Sequence, residues 1–210
     1  MLLAFLEIIG TIAFAISGAL AAIRHRMDLS GAIVLGFIVG NGGGTLRDLL
    51  LNRPIFWMQN HWYIYGSVGV GLLTFIVAYF IPFPMKNNLR KLNWALMYCD
   101  AIGLGAFAVV GAQIAVSMHQ SMLIIIMMGV LTATGGGVIR DILSNEVPLI
   151  FHGQLYATAA LVGVVVFAIA IHYWPLHIIM LPSMIVIWVL RILALHLNWH
   201  LPFVPTLTPK

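Results

Sequence analysis

An eleven-residue motif occurs twice in this chain, each time near the middle of a long apolar run. Residues 42–52 read GGGTLRDLLLN and residues 135–145 read GGGVIRDILSN, an offset of 93 positions (135 − 42). The offset holds without a gap well beyond the motif. Glu7 aligns with Asp100, Gly10 with Gly103, Phe14-Ala15 with Phe107-Ala108, Gly18-Ala19 with Gly111-Ala112, Gly36 with Gly129 and Tyr63 with Tyr156. Aligning 7–63 with 100–156 gives 18 identities in 57 positions. Glycine and alanine are common in membrane helices, so some matches are compositional. The shared Arg-Asp pair and the matched acids are not explained that way. An internal repeat of this length sets the fold before any single element does.

The repeat is written in membrane-spanning helices. Of 210 residues, 62% are hydrophobic and 8% charged, with a mean hydropathy of +1.05; a soluble domain carries about 25% charged residues. Apolar runs long enough to cross a bilayer core, about 20 residues of helix, occur at about 3–23, 30–52, 62–81, 93–116, 121–145, 153–173 and 176–197. The expected fold is therefore all-α, integral to the membrane, with seven transmembrane helices in one membrane domain of residues 1–210. Repeat one covers about 3–81 and repeat two about 93–173. Each holds three spans, an odd number, so the second copy enters the membrane upside down. Inverted repeats about an in-plane pseudo-two-fold are a transport architecture. The seventh span, about 176–197, has no counterpart and reads as an accessory packing helix.

Spans two and five carry the glycine triplets Gly42-Gly43-Gly44 and Gly135-Gly136-Gly137. Three consecutive glycines cost a helix about 3 kcal/mol relative to alanine. Both helices are expected to break there, lining a cavity that satisfies the freed backbone groups. The bland reading is close helix packing through small residues, which suits Gly66, Gly69 and Gly71 in span three and Gly103 and Gly105 in span four. Thr45 follows the first triplet, while Thr132 and Thr134 precede the second. Each of these hydroxyls either lines a pathway or bonds back to a helix carbonyl.

Arg47, Asp48, Arg140 and Asp141 lie within the same spans, where ionisable groups need a partner or a water-filled cavity. Matching depths pair Glu7 with Arg47 and Asp100 with Arg140, with Asp48 and Asp141 beside them. Counted this way, each half holds two acids and one arginine, net −1. A negatively biased, partly dry cavity attracts cations.

Other classes fall away. The net charge of +4 suggests nucleic acid only until its distribution is seen. Arg24, Arg26, Lys86, Arg90, Lys91 and Lys210 share one side and Arg53 has the other, so the positive-inside rule puts the N-terminus outside and the C-terminus in the cytoplasm. Trp57 and Trp62 on one side, and Trp94 and Trp199 on the other, fit interfacial belts. Lys86, Arg90 and Lys91 are a topology signal that also suits anionic lipid head groups. The first span is too long for a signal-peptide core, and Glu7 replaces a basic n-region, so it is expected to stay in the mature protein. Cys99 is the only cysteine, which removes an internal disulfide and a Cys-based metal site. The histidines (His25, His61, His119, His152, His172, His177, His196, His200) sit mostly at loop edges without ligand spacing. No G-x-S-x-G or H-E-x-x-H motif occurs, so neither enzyme chemistry nor a cofactor or metal is expected.

The doubled motif, Gly-Gly-Gly followed by Thr-Leu-Arg-Asp or Val-Ile-Arg-Asp in a 3+3+1 layout, resembles the trimeric intracellular cation channel family. The short tail after Arg191 is similar to its prokaryotic branch, and the resemblance covers about Glu7 to Arg191. It implies a homotrimer in a bacterial or archaeal plasma (inner) membrane, each protomer holding an hourglass pore that conducts monovalent cations, chiefly potassium. It also implies pore lining by spans two and five, bent at the triplets. The same bacterial family is described as containing glycine uptake proteins, and a zwitterion would find both charge signs in each cluster. A membrane scaffold is the non-transport alternative, and matched buried charges argue against it.

Overall fold

The computed structural model describes residues 1–80, 85–151, 155–197 and 199, with the side chains of 85–89 left aside. Lys86, His152, His200 and Lys210 of the sequence reading lie outside the described residues or side chains. The helices, in chain order, are α1 (Leu2–Arg24), α2 (Leu29–Leu50), the short α3 (Phe56–Gln59), α4 (Trp62–Phe80), α5 (Met85–Ser117), α6 (Met122–Leu143), α7 (Ala157–Ala170) and α8 (Leu176–Leu197). Among the described residues, six of these helices are long and apolar enough to cross a membrane. The span expected at 153–173 is helical over only the 14 residues of α7. At 1.5 Å per residue that is roughly 21 Å, short of a bilayer core of about 30 Å.

Helix ends follow local chemistry. Asp28 caps α2 by accepting the Gly31 N–H at 2.8 Å and the Ser30 hydroxyl at 2.7 Å. These two donors hold its carboxyl below the usual carboxylate range. The connections after α1, α2, α5 and α6 each use one residue at positive φ: Arg26 (57°), Asn52 (51°), His119 (54°) and Asn145 (55°). Two of the four are asparagines, which tolerate the left-handed region. Arg26 and His119 are 93 apart, as are Asn52 and Asn145.

Packing repeats at the same offset. Phe14 and Phe107 lie at the centre, fully buried, with ring centroids 5.4 Å apart. Phe107 covers Gly10, and Phe14 covers Gly103. A Cβ on Gly18 would sit 2.7 Å from the Leu35 carbonyl oxygen, and one on Gly111 2.6 Å from that of Met128. Gly36 meets the Ala15 carbonyl oxygen and Gly129 that of Ala108, at 3.1 and 2.9 Å. Glycines thus let α1 lie on α2, and α5 on α6, at backbone distance. Ala15, Ala19, Ala108 and Ala112 are all fully buried within the protomer. In contrast, Gly66 and Gly69 have nothing within 4 Å of a Cβ among the described residues, so they are not packing glycines there. Helix α8 lies against α5 and α7, where Ile187 fills the space over Gly163. Large apolar side chains such as Phe5, Ile8 and Ile12 point outward, as a lipid-facing surface requires.

The expected breaks in α2 and α6 are not there. Both helices run unbroken through their triplets, Leu29–Leu50 and Met122–Leu143. The intact ladder keeps the mid-membrane backbone groups paired, so no cavity is needed to satisfy them. The glycines serve the crossing of the two helices instead. A Cβ on Gly43 would collide with the Thr132 carbonyl oxygen, and one on Gly136 would lie 2.6 Å from that of Val39. Gly42 sits under Ile139 at 2.8 Å and Gly135 under Leu46 at 2.9 Å. Every one of these partners is again related by 93 positions. The third glycine of each triplet leaves room for an aromatic ring, Phe56 over Gly44 and Tyr156 over Gly137.

Candidate functional site

The α2/α6 crossing separates two buried charge clusters at opposite ends of the helix bundle. In the first, Arg47 is fully buried and reaches both neighbouring acids. Its Nη2 lies 3.1 Å from Glu7 Oε1, and Nε and Nη2 donate to Asp48 Oδ1 and Oδ2 at 2.8 and 3.0 Å. Asp48 Oδ2 also accepts the Phe56 N–H at 2.9 Å, and Tyr63 donates its hydroxyl to Glu7 Oε2 at 3.2 Å. The guanidinium lies 5.4 Å from the Phe56 ring centroid.

The second cluster repeats this plan. Arg140 Nη1 lies 2.5 Å from Asp100 Oδ1, and Nε donates to Asp141 Oδ1 at 2.9 Å. Asp141 Oδ2 accepts the Leu149 N–H at 2.9 Å, and Tyr156 donates to Asp100 Oδ1 at 3.3 Å. Each contact has its counterpart 93 residues away in the first cluster. The arginines clamp α2 to α1 and α6 to α5. Of the two cluster arginines, Arg140 also reaches the other half, donating to Ser17 Oγ of α1 at 2.6 Å. The residue matched to Ser17 is Val110, which offers no acceptor.

The charge count of −1 per half does not hold. Arg53 Nη1 stands 3.9 Å from Asp48 Oδ1. Arg191 of α8, fully buried, lies 4.8 Å from the centroid of the Tyr156 ring whose hydroxyl serves Asp100. Counting the partly exposed Arg53 and the Arg191 that stands over Tyr156, each cluster has two acids and two arginines in or beside it, which lowers the cost of burying its ions. Reading each repeat alone hides both, because Arg53 aligns with Glu146 and α8 has no counterpart. Arg191, a lone charge in an apolar run, was the available signal.

The hydroxyls at the crossing bond to their own helices. Thr45 donates to the Asn41 carbonyl at 2.8 Å and accepts from Trp57 Nε1 at 2.8 Å. Thr132 and Thr134 donate to the Met128 and Val130 carbonyls at 2.6 and 2.8 Å. Beside the second cluster a cavity of about 30 Å³ is lined by Arg140, Asp141, Ser144, Asn93, Arg24 and Glu146. Arg24 and His25 both pair with Glu146, His25 at 3.2 Å. At the other end a groove of about 170 Å³ runs past Asn60, Trp62, Tyr63 and Thr11. The crossing between these two spaces is closed, for it has no room for a methyl group.

Comparison with known proteins places this geometry. A family model described as "Glycine transporter" matches twice, over residues 4–79 and 97–172. The chain is 37% identical over 204 residues to the UPF0126 inner membrane protein YadS of Escherichia coli K12, covering 96% of this chain and 94% of that protein. Among solved structures, a trimeric intracellular cation channel orthologue from Rhodobacter sphaeroides superposes with a TM-score of 0.85 at 35% identity, covering 94% of this chain and 98% of that one. A structure described under conductance through TRIC cation channels has a TM-score of 0.84 at 39% identity, with both chains covered completely.

Proposed function

The chain belongs to the prokaryotic branch of the trimeric intracellular cation channel family, and on that premise we propose that it conducts monovalent cations, chiefly potassium, down their gradient. The pathway runs within each protomer of a homotrimer. It passes the α2/α6 crossing, with Gly42, Gly43, Gly44 and Thr45 on one side and Thr134, Gly135, Gly136 and Gly137 on the other. Arg47 and Asp48 with Glu7 flank it at one end, Arg140 and Asp141 with Asp100 at the other. The two halves are inverted three-helix repeats, and α8 is accessory. By the positive-inside rule the N-terminus is outside the inner membrane and the C-terminus in the cytoplasm.

One observation carries the reading: two helices that touch backbone to backbone through glycine, between matched buried clusters. A scaffold has no use for ionised groups at that depth, whereas a transport pathway uses them. Closed, the crossing blocks ions. Parting α2 from α6 exposes the carbonyls of Val39 and Thr132, oxygen ligands of the kind that replace a cation's hydration shell.

Glycine transport is the second reading, because each cluster presents both carboxylates and guanidinium groups and the matching family model carries that description. Proteoliposomes separate the two. A channel gives potassium efflux that is indifferent to glycine and does not saturate. Saturable uptake of radiolabelled glycine without potassium flux overturns the channel reading.

A further inference from the structure

Asn41 is the residue before the first glycine triplet, 12 positions from the start of α2 and 9 from its end (41 − 29 and 50 − 41). At 1.5 Å per residue it lies roughly 18 and 14 Å from the two helix ends, deep in the hydrocarbon layer. It is 2% exposed. Its amide nitrogen donates to the Phe37 carbonyl at 2.9 Å and to Ser67 Oγ at 3.0 Å. Ser67 in turn gives its proton to the Tyr63 carbonyl at 2.7 Å, so its oxygen can only accept from Asn41. This chain pins the amide: a flip would set two oxygens against each other at both contacts. Asn41 Oδ1 is left buried without a hydrogen-bond partner among the described residues.

A second unpartnered oxygen lies on α1, the helix that packs against α2. Thr11 of α1 is also 2% exposed, and its Oγ1 has no hydrogen-bond partner among the described residues. The Thr11 carbonyl oxygen lies 2.9 Å from where a Cβ on Gly40 would sit, which brings Thr11 against the α2 turn that carries Asn41. Thr11 also lines the groove that opens at Asn60 and Trp62. Buried polar groups are normally paired, so two unpartnered oxygens on packed helices mark places where a water or a ligand would bind. Asn41 Oδ1 can only accept, and the Thr11 hydroxyl oxygen can accept as well as donate, so the pair suits a hard monovalent cation better than an anion. The positions 93 residues on are Leu104, Thr134 and Ala160, in place of Thr11, Asn41 and Ser67. Leucine and alanine bring no oxygen, and the Thr134 hydroxyl is spent on Val130.

We propose that Asn41 Oδ1, with Thr11 Oγ1, forms a one-sided coordination site where a permeating monovalent cation sheds water before the α2/α6 crossing. Ser67 is its positioning residue. The inference rests on the channel reading and deepens it, because it names where ions are selected.

Unitary currents of the reconstituted protein test it. Asn41→Leu is expected to lower potassium conductance by about tenfold, the effect of losing one contact to a charged group, and to change the potassium-to-sodium permeability ratio. Asn41→Asp restores an oxygen with a charge and raises conductance at low salt. Ser67→Ala removes one of the two contacts that pin the amide and leaves Phe37, so it moves the permeability ratio in the direction of Asn41→Leu by a smaller amount. Thr11→Val covers the case in which Asn41→Leu does not fold, and it lowers conductance too. Wild-type conductance and permeability ratio in a folded Asn41→Leu or Thr11→Val protein overturn the site while leaving the channel reading intact. A wild-type protein that passes no cation current overturns the channel reading itself.

Discussion

Replacing Gly136 with alanine puts a methyl carbon 2.6 Å from the Val39 carbonyl oxygen, a backbone atom that no rotamer change can move. Ordinary contact begins near 3.4 Å, so α2 and α6 must part by about 0.8 Å (3.4 − 2.6). Overpacking of this kind costs about 1–3 kcal/mol. Alanine returns about 1 kcal/mol of helix propensity, but α6 is helical whether the crossing is closed or open, so that gain cancels between the two states. The clash exists only when the crossing is closed. The closed-to-open ratio is therefore expected to fall by roughly fivefold to a hundredfold, the equivalent of 1–3 kcal/mol. Unitary recordings in planar bilayers read this as a higher open probability at unchanged voltage. Gly66→Ala is the control, since nothing lies within 4 Å of its Cβ. A folded Gly136→Ala protein with wild-type or lower open probability would refute the argument that this contact is what closes the pathway.

Asp100→Asn keeps an oxygen opposite Arg140 but removes the negative charge that faces the guanidinium at 2.5 Å inside the bundle; removing one charge of a buried pair costs about 3–5 kcal/mol, read as a large drop in thermal stability in detergent. Tyr63→Phe deletes one hydroxyl donor to Glu7, which costs about 0.5–1.5 kcal/mol and lowers the melting temperature far less than Asp100→Asn does. Arg191→Met keeps the length of the side chain over Tyr156 but leaves the second cluster with two acids and one arginine. It should raise cation conductance measured from that end, and currents identical in both directions to wild type would count against the charge balance described above.

Much of this arrangement was legible in the sequence, because a gapless offset of 93 fixes partners in pairs. Glu7 and Arg47 lie at equal depth from one end, and Asp100 and Arg140 at equal depth from the other, so helix geometry alone brings them together. The helix breaks were misread for a physical reason. Helix propensity counts glycine as a loss, yet in a membrane an unbroken ladder is strongly favoured, and glycine's missing side chain is spent on a backbone crossing. Span six was overdrawn because apolar composition continues past both ends of α7. The neutralising arginines were hidden for different reasons: Arg53 sits in a connection, and Arg191 comes from a helix outside the repeat. Asn41 was visible as a polar residue in mid-span, but its bare oxygen depends on Ser67, 26 positions away.

The central claim is that a passive cation pathway crosses the α2/α6 contact. Its most direct test is the reversal potential of the purified protein in a planar bilayer under a potassium gradient, with and without glycine. The account predicts unitary currents that reverse near the potassium equilibrium potential and do not shift when glycine is added. Absence of unitary currents, together with saturable glycine uptake by the same preparation, would contradict it.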